Sequence, residues 1–242
     1  FGKFTYIIFI YILGRWKKSC IIVENNSDLR LLEKFFPHKI YQIYGSGLFT
    51  DVKKNKAFVY KKSKNNLNSI ILVSRFGKSK CTDQIVKLGQ NLPNDVKLTI
   101  IGRDISGTHY SKIFSEISNK YSNISYYGWV DDEDLIYNFM READILIYPS
   151  LREGCPFAVL ESISQGTLPI LSNTPGSSDL ANDLGLPSIN PDFFNDYEIL
   201  NAEYKKFFYH HKSSKVLINN FYKYSYKLVR EQFIDIFNEQ SK

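Results

Sequence analysis

ADILIYPSLREGCPFAVLESISQGTLPILS, residues 143–172, is the stretch whose reading decides the fold. Ile145, Leu146, Ile147 and Tyr148 form a short apolar run that stops at Pro149 and Ser150. A run this short, bounded by turn residues, reads as a strand buried on both faces. Pro156 then stands where a helix begins, a place proline tolerates because the first helical N–H groups have no intrahelical partner. Residues 157–165 read as that helix, and residues 168–172 as a second buried strand. Strand, loop, helix and strand, with both strands apolar, make a β-α-β unit with parallel strands.

The alternation continues outward. Residues 69–74, 96–102 and 124–130 read as strands, and residues 82–91, 110–120 and 132–141 as helices. The fold class is therefore α/β, a Rossmann-like parallel sheet with helices on both faces. Further upstream, residues 20–24 and 39–44 read as strands around a helix at 26–36, and end at Gly45-Ser46-Gly47. A polar, Lys- and Asn-rich stretch over 51–68 reads as a linker. After Pro191 two aromatic-rich helices are expected, at 196–211 and 215–240. The expected organisation is a first unit over 1–50, the linker 51–68, the Rossmann-like domain 69–191 and C-terminal helices over 192–242.

With 43% hydrophobic and 23% charged residues among 242, the chain has the composition of a globular protein. Its net charge of +6 is spread without a dense basic stripe, and no nucleic-acid-binding motif is present. A nucleic-acid partner is set aside in favour of a phosphate-bearing ligand or a membrane surface. Cys20, Cys81 and Cys155 are odd in number and far apart, which speaks against a disulfide framework or zinc site and for a reducing cytoplasm. The apolar run at 4–13 is shorter than the ~20 residues of a spanning helix. It precedes Arg15, Lys17 and Lys18, the reverse of a signal peptide's order. A packed or membrane-surface helix is expected there, and the start at Phe1 suggests a fragment or processed product.

Ligands of doubly wound sheets bind beyond the carboxyl ends of the strands. Those ends hold Arg75, Gly102, Gly128, Trp129, Val130 and residues 150–153. The helix beginning after Pro156 offers unpaired N–H groups and a positive dipole end to an anion, and Gly154 permits close approach to the backbone. Glu161 lies inside the apolar run 157–163, where an unpartnered carboxylate is costly and two sugar hydroxyls would satisfy it. Glu153 stands on the loop at the same helix end. The bland alternative is a helix-capping Glu153 and a partly exposed Glu161. Lys80, near a helix start, opposes the dipole unless an anion intervenes, and Arg75 offers a fork suited to phosphate oxygens; the alternative is that both are solvated. Two other motifs are set aside. Asp132-Glu133-Asp134 fits a metal-binding DxD pattern but lies at a helix start, where acidic residues cap. The Gly45–Gly47 turn is not followed by the Lys of a phosphate loop.

EGCPFAVLE, residues 153–161, resembles the E-x7-E motif of glycosyltransferase family 4, a group of retaining enzymes with the GT-B fold. ILVSRFGKSK, LTIIGRD, ISYYGWVDDEDL, ADILIYPSLREG and GTLPILSNTPGSSDL follow in that family's order, and CIIVENNSDLRLL and IYQIYGSGL resemble the end of its N-terminal domain. The resemblance spans residues 20–184.

It implies that residues 1–50 are a remnant of the acceptor-side domain, and that the donor binds the domain downstream. Glu161 would hold the ribose hydroxyls and Glu153 would face the reacting sugar. The Gly154, Phe157 and Ala158 amides would face the diphosphate and sugar. Arg75 and Lys80 would stabilise the departing diphosphate, and Trp129, Val130 and Gly102 would lie at the nucleoside end. The family usually has Gly where this chain has Cys81, and Lys78 is a rival for the role of Lys80. The implied reaction is sugar transfer from a nucleotide-diphosphate sugar to a lipid-linked sugar or glycan, without metal or cofactor, in the cytoplasm or at the inner face of the membrane. The alternatives are a truncated, non-catalytic nucleotide-binding fragment, and a GT-B epimerase or phosphorylase. With so little of an acceptor-side domain, the chain alone is expected to bind donor without transferring sugar.

Overall fold

The computed structural model describes residues 20–36, 40–48, 66–104, 107–210 and 221–240. The apolar run 4–13 and most of the linker lie outside them. So does the stretch 211–220, where the last helix was expected to start.

Six parallel strands form the main sheet: β3 (Ser69–Val73), β4 (Lys97–Ile101), β5 (Ile124–Tyr126), β6 (Ile145–Tyr148), β7 (Leu168–Ser172) and β8 (Ser188–Ile189), in the order β5-β4-β3-β6-β7-β8. Counted from β3 this is 3-2-1-4-5-6, the doubly wound order, and its direction reverses between β3 and β6. Ile70 is in register with both Leu98 and Ile145. Both faces are covered, so Ile70, Ile71, Ile100, Ile145, Leu146 and Ile147 are almost wholly buried, as apolar runs in parallel strands require.

The connecting helices are α2 (Thr82–Asn91), α3 (Tyr110–Lys120), α4 (Glu133–Glu142), α5 (Phe157–Ser164) and α6 (Ser177–Leu184). The first two match the expected bounds. β5 is shorter than expected because Gly128, at φ +68°, turns the chain out of the extended form. After β8 a 3-10 turn at Pro191–Asn195 leads into α7 (Tyr197–His210), and a second at Tyr222–Tyr224 precedes α8 (Tyr226–Gln240).

The N-terminal segment forms a separate parallel pair, β1 (Ile21–Val23) and β2 (Ile40–Gln42), linked through α1 (Asn26–Leu32). α1 ends at Leu32, earlier than the expected residue 36. Val23, Leu32 and Phe36 make a small core of their own. Polar contacts join this pair to the main sheet: the Ser27 N–H donates to Asp179 Oδ2 at 2.7 Å, and Arg152 pairs with Asp28 at 2.7 Å. The carboxyl ends of β1, β3 and β6 thus converge on one loop, 149–156.

Candidate active site

The basic loop leaves β3 at Val73. Gly77 is pinned to Thr82: its N–H donates to Thr82 Oγ1 at 2.9 Å, and that hydroxyl donates back to the Gly77 carbonyl at 3.1 Å. Between them a 3-10 turn, Lys78–Lys80, ends at Cys81 with φ +48° and ψ +38°. This is the left-handed conformation that glycine adopts freely, and Cys81 is the position where the family pattern has glycine. The turn leaves Lys78 exposed and carries Lys80 inward. The Lys80 ammonium forms an ion pair with Glu153 Oε1, with the two side chains 16% and 13% exposed. It also lies 5.8 Å from the centre of the Tyr148 ring. Of the two rival lysines, Lys80 is the one beside Glu153.

The glutamate loop is tied to the basic loop. The Leu151 N–H donates to the Ser79 carbonyl at 2.9 Å, and Thr174 Oγ1 donates to the Ser150 carbonyl at 2.7 Å. Gly176, at φ +80°, backs Glu153 so closely that a Cβ there would stand 1.9 Å from the Glu153 carbonyl oxygen. The Tyr148 hydroxyl, buried at the end of β6, lies near the Glu153 carboxylate. Burial, then the Glu153 charge, raises the Tyr148 hydroxyl well above its ordinary range, while exposed Arg75 pulls in the other direction. At neutral pH Tyr148 therefore stays protonated. Burial, followed by Glu24 and Glu153, pushes the Cys155 thiol up to about 12, so it is not a thiolate nucleophile.

One turn into α5 stands Glu161. Burial, with a smaller contribution from Glu133, raises its pKa, and among the described residues no side chain bonds to it. A half-buried carboxylate in that condition calls for hydroxyl or N–H donors. Phe157 and Ala158 are half-buried in the first turn of α5. Trp129 is 51% exposed, with the Arg103 guanidinium 4.4 Å from its ring centre. Its indole N–H donates to Asp131. Val130 packs against the core. Gly102, at φ +143°, has the Ser74 carbonyl oxygen 1.8 Å from where a Cβ would stand, so close backbone packing demands glycine there. Asp132 caps α4, accepting from the Leu135 N–H at 3.1 Å, the capping role its position suggested.

Gly154 does admit a close approach, but the group that approaches is Glu24, at the end of β1. A Cβ on Gly154 would stand 1.9 Å from Glu24 Oε2, and the nearby Cys155 backbone amide favours the charge of that carboxylate. Asn25 reinforces the junction by donating to the Glu153 carbonyl at 3.2 Å. Tyr148, Gly176, Arg103 and Glu24 were not singled out from the sequence. A tyrosine ending a buried strand was a usable signal for the first. Nothing local marked the others.

The family model described as "Glycosyl transferases group 1" matches residues 53–190. The glycogen synthase of Clostridium botulinum (strain Alaska E43 / Type E3) is 30% identical over 115 residues, which are 47% of this chain and 24% of that one. The capsular polysaccharide biosynthesis glycosyltransferase CapH of Staphylococcus aureus is 27% identical over 177 residues, 70% of this chain and 46% of CapH. The chain thus spans between about a quarter and a half of the length of these curated relatives. The crystal structure of Anabaena HepE in complex with UDP-glucose superimposes with a TM-score of 0.67 at 14% identity, over 91% of this chain and 64% of HepE. That likeness establishes the fold.

Proposed function

The chain belongs to the glycosyl transferases group 1 family, and from that premise we propose that it moves a sugar from a nucleotide-diphosphate sugar to a hydroxyl acceptor, with retained anomeric configuration and without a metal. The observation that carries the reading is the cluster at the sheet's switch point. Lys80 pairs with Glu153 beside the Tyr148 ring there, while Glu161, on the helix that follows the same loop, has no side-chain partner among the described residues.

In this reading Glu161 takes the ribose hydroxyls. The Gly154, Phe157 and Ala158 amides face the diphosphate and sugar, and Trp129, Val130 and Gly102 lie at the nucleoside end. Lys80 has three N–H donors, so pairing with Glu153 leaves two for phosphate oxygens. Transfer breaks the bond between the anomeric carbon and the diphosphate oxygen and forms one to the acceptor oxygen on the same face. The acceptor's proton passes to the departing diphosphate, whose charge Arg75 and Lys80 stabilise. That is the work a divalent cation does elsewhere.

The acceptor is proposed to be a lipid-linked sugar or a glycan, handled in the cytoplasm or at the inner face of the membrane. The net charge of +6 suits an anionic surface, and one relative is named for capsular polysaccharide biosynthesis. Among the described residues no helix is long and apolar enough to cross a membrane. The N-terminal segment up to residue 50 is assigned to the acceptor side.

Calorimetric titration with UDP, ADP and GDP tests the donor reading. One of them should bind, and Glu161→Ala should weaken it by about 1.5–3 kcal/mol, the usual worth of a hydrogen bond to a charged group. Unchanged affinity in a folded variant removes Glu161 from the site.

A further inference from the structure

A small cavity lies between the N-terminal strand pair and the glutamate loop, walled by Glu24, Gln42, Gly154, Cys155 and Asp183. It encloses about 20 Å³, room for one water molecule or one hydroxyl group. Two polar groups are poised there. The Glu24 carboxylate stands directly in front of Gly154. Gln42 Nε2 is buried with no hydrogen-bond partner, a costly condition for an amide donor. Its wall includes Gly154, next to Glu153 in the chain, and Gly176, which backs the Glu153 carbonyl.

We propose that Glu24 and Gln42 read a hydroxyl of the transferred sugar, so that the N-terminal segment selects the donor sugar. This rests on the donor reading above and deepens it. A hydroxyl donates one hydrogen bond and accepts up to two. Placed between the Cys155 N–H and Glu24, it accepts from the amide and donates to the carboxylate, and its second lone pair takes Gln42 Nε2. Every group left unsatisfied or like-charged then gains a partner. Glu24 gains most: burial, with Asp28 and Glu153 beside it, disfavours its charge, and only the Cys155 amide opposes them. A ligand lacking that hydroxyl leaves the carboxylate and the amide poorly matched, which is how polar pockets discriminate strongly. Glycine at 154 is required because a side chain there would collide with the Glu24 carboxylate and push it out of the cavity wall.

The test compares nucleoside diphosphates with their sugar conjugates. UDP, ADP and GDP, then UDP-glucose, ADP-glucose and GDP-mannose, are titrated calorimetrically into the unmodified protein, Glu24→Ala and Glu24→Gln, with circular dichroism as the folding control. The unmodified protein should bind one sugar conjugate at least tenfold more tightly than its parent diphosphate. Glu24→Ala should abolish that preference while changing diphosphate affinity less than twofold. One singly deoxygenated conjugate should bind the unmodified protein about as weakly as the parent diphosphate, and be indifferent to Glu24→Ala. An unchanged preference in Glu24→Ala overturns the inference. So does equal tightening of diphosphate and conjugate, which makes Glu24 a plug rather than a reader. If neither variant folds, the deoxygenated series on the unmodified protein decides, and uniform affinities across it overturn the inference. Binding of a diphosphate without any preference for its conjugate sinks this inference and spares the donor reading; no binding of any nucleotide sinks both.

Discussion

Replacing Lys80 with Met separates two roles that one ammonium group is asked to play. The variant keeps the methylenes beside the Tyr148 ring and removes the charge. Glu153 then loses its cation, at 13% side-chain exposure. Breaking a fully buried pair by removing one partner costs about 3–5 kcal/mol. Residual solvent access brings the expected loss here to about 1–2 kcal/mol. The ligand loses a charge-assisted contact worth about 1.5–3 kcal/mol, so nucleoside diphosphate affinity should fall about 10- to 150-fold. The Lys80→Met, Glu153→Gln double variant distinguishes the roles. Neutralising Glu153 removes the orphaned charge, so most of the stability should return, and the affinity should not. Urea denaturation supplies the stabilities and calorimetry the affinities. If affinity recovers along with stability in the double variant, Lys80 serves only to hold the loop, and the role given to it in diphosphate binding is wrong.

Three further outcomes are expected. Glu161 is raised above its ordinary 4.5 by burial, so the stability it allows is fully present below the unfolded pKa and is lost as pH rises through the folded one. Glu161→Gln should therefore melt higher than the unmodified protein at pH 7 and bind nucleotide more weakly, with the melting difference vanishing at acid pH; an unfavourable melting shift at pH 7 contradicts the burial argument. Gly176→Ala should lose about 1–3 kcal/mol in urea denaturation, because its Cβ would stand 1.9 Å from a backbone oxygen at φ +80°; a change under ~0.5 kcal/mol in that assay means the loop yields easily. Nucleoside diphosphate binding should persist in EDTA with an affinity within twofold of that in Mg²⁺, and strict dependence on added Mg²⁺ or Mn²⁺ defeats the metal-free mechanism.

The β-α-β frame was open to reading because each strand is a short apolar run between turn residues, and each helix repeats at its own period. α2, α3 and β7 have the expected bounds. α6 and β8 were not read. α6 starts at Ser177 after Gly176, without a side-chain cap, and β8 is only two residues long, so neither carries much periodic signal. Within the site, Glu153, Lys80 and Glu161 were visible through a family pattern that gives them fixed spacing. The partners of Glu24 lie near residue 154, far along the chain, and no local pattern in CIIVE announces a carboxylate crossing to another sheet. Tyr148 looked like the last apolar residue of a strand, and only the fold shows its hydroxyl near Glu153. Arg103 lay within the quoted LTIIGRD stretch, but its contact with Trp129 depends on the pairing of β4 with β5.

Cys81 shows how the departure from the family pattern fits with the rest of the site. A left-handed residue other than glycine carries roughly 1–2 kcal/mol of steric cost, and such strain persists where surrounding contacts over-determine the backbone. Here they do: Thr82 closes the loop onto Gly77 from both directions, and Leu151 ties Ser79 to the glutamate loop. The turn that strains Cys81 is the same turn that brings Lys80 onto Glu153. A relaxed backbone at position 81 would redirect the chain between Lys80 and α2, and the ammonium group would leave its only described carboxylate partner. The Cys81 thiol is pushed up by burial, and further by Asp192 and Asp83, so at neutral pH it is a small uncharged side chain. It adds no charge to compete with Arg75 and Lys80 for a diphosphate. The substitution thus costs some stability while leaving the electrostatics of the basic loop intact, which an acidic residue at position 81 would not do.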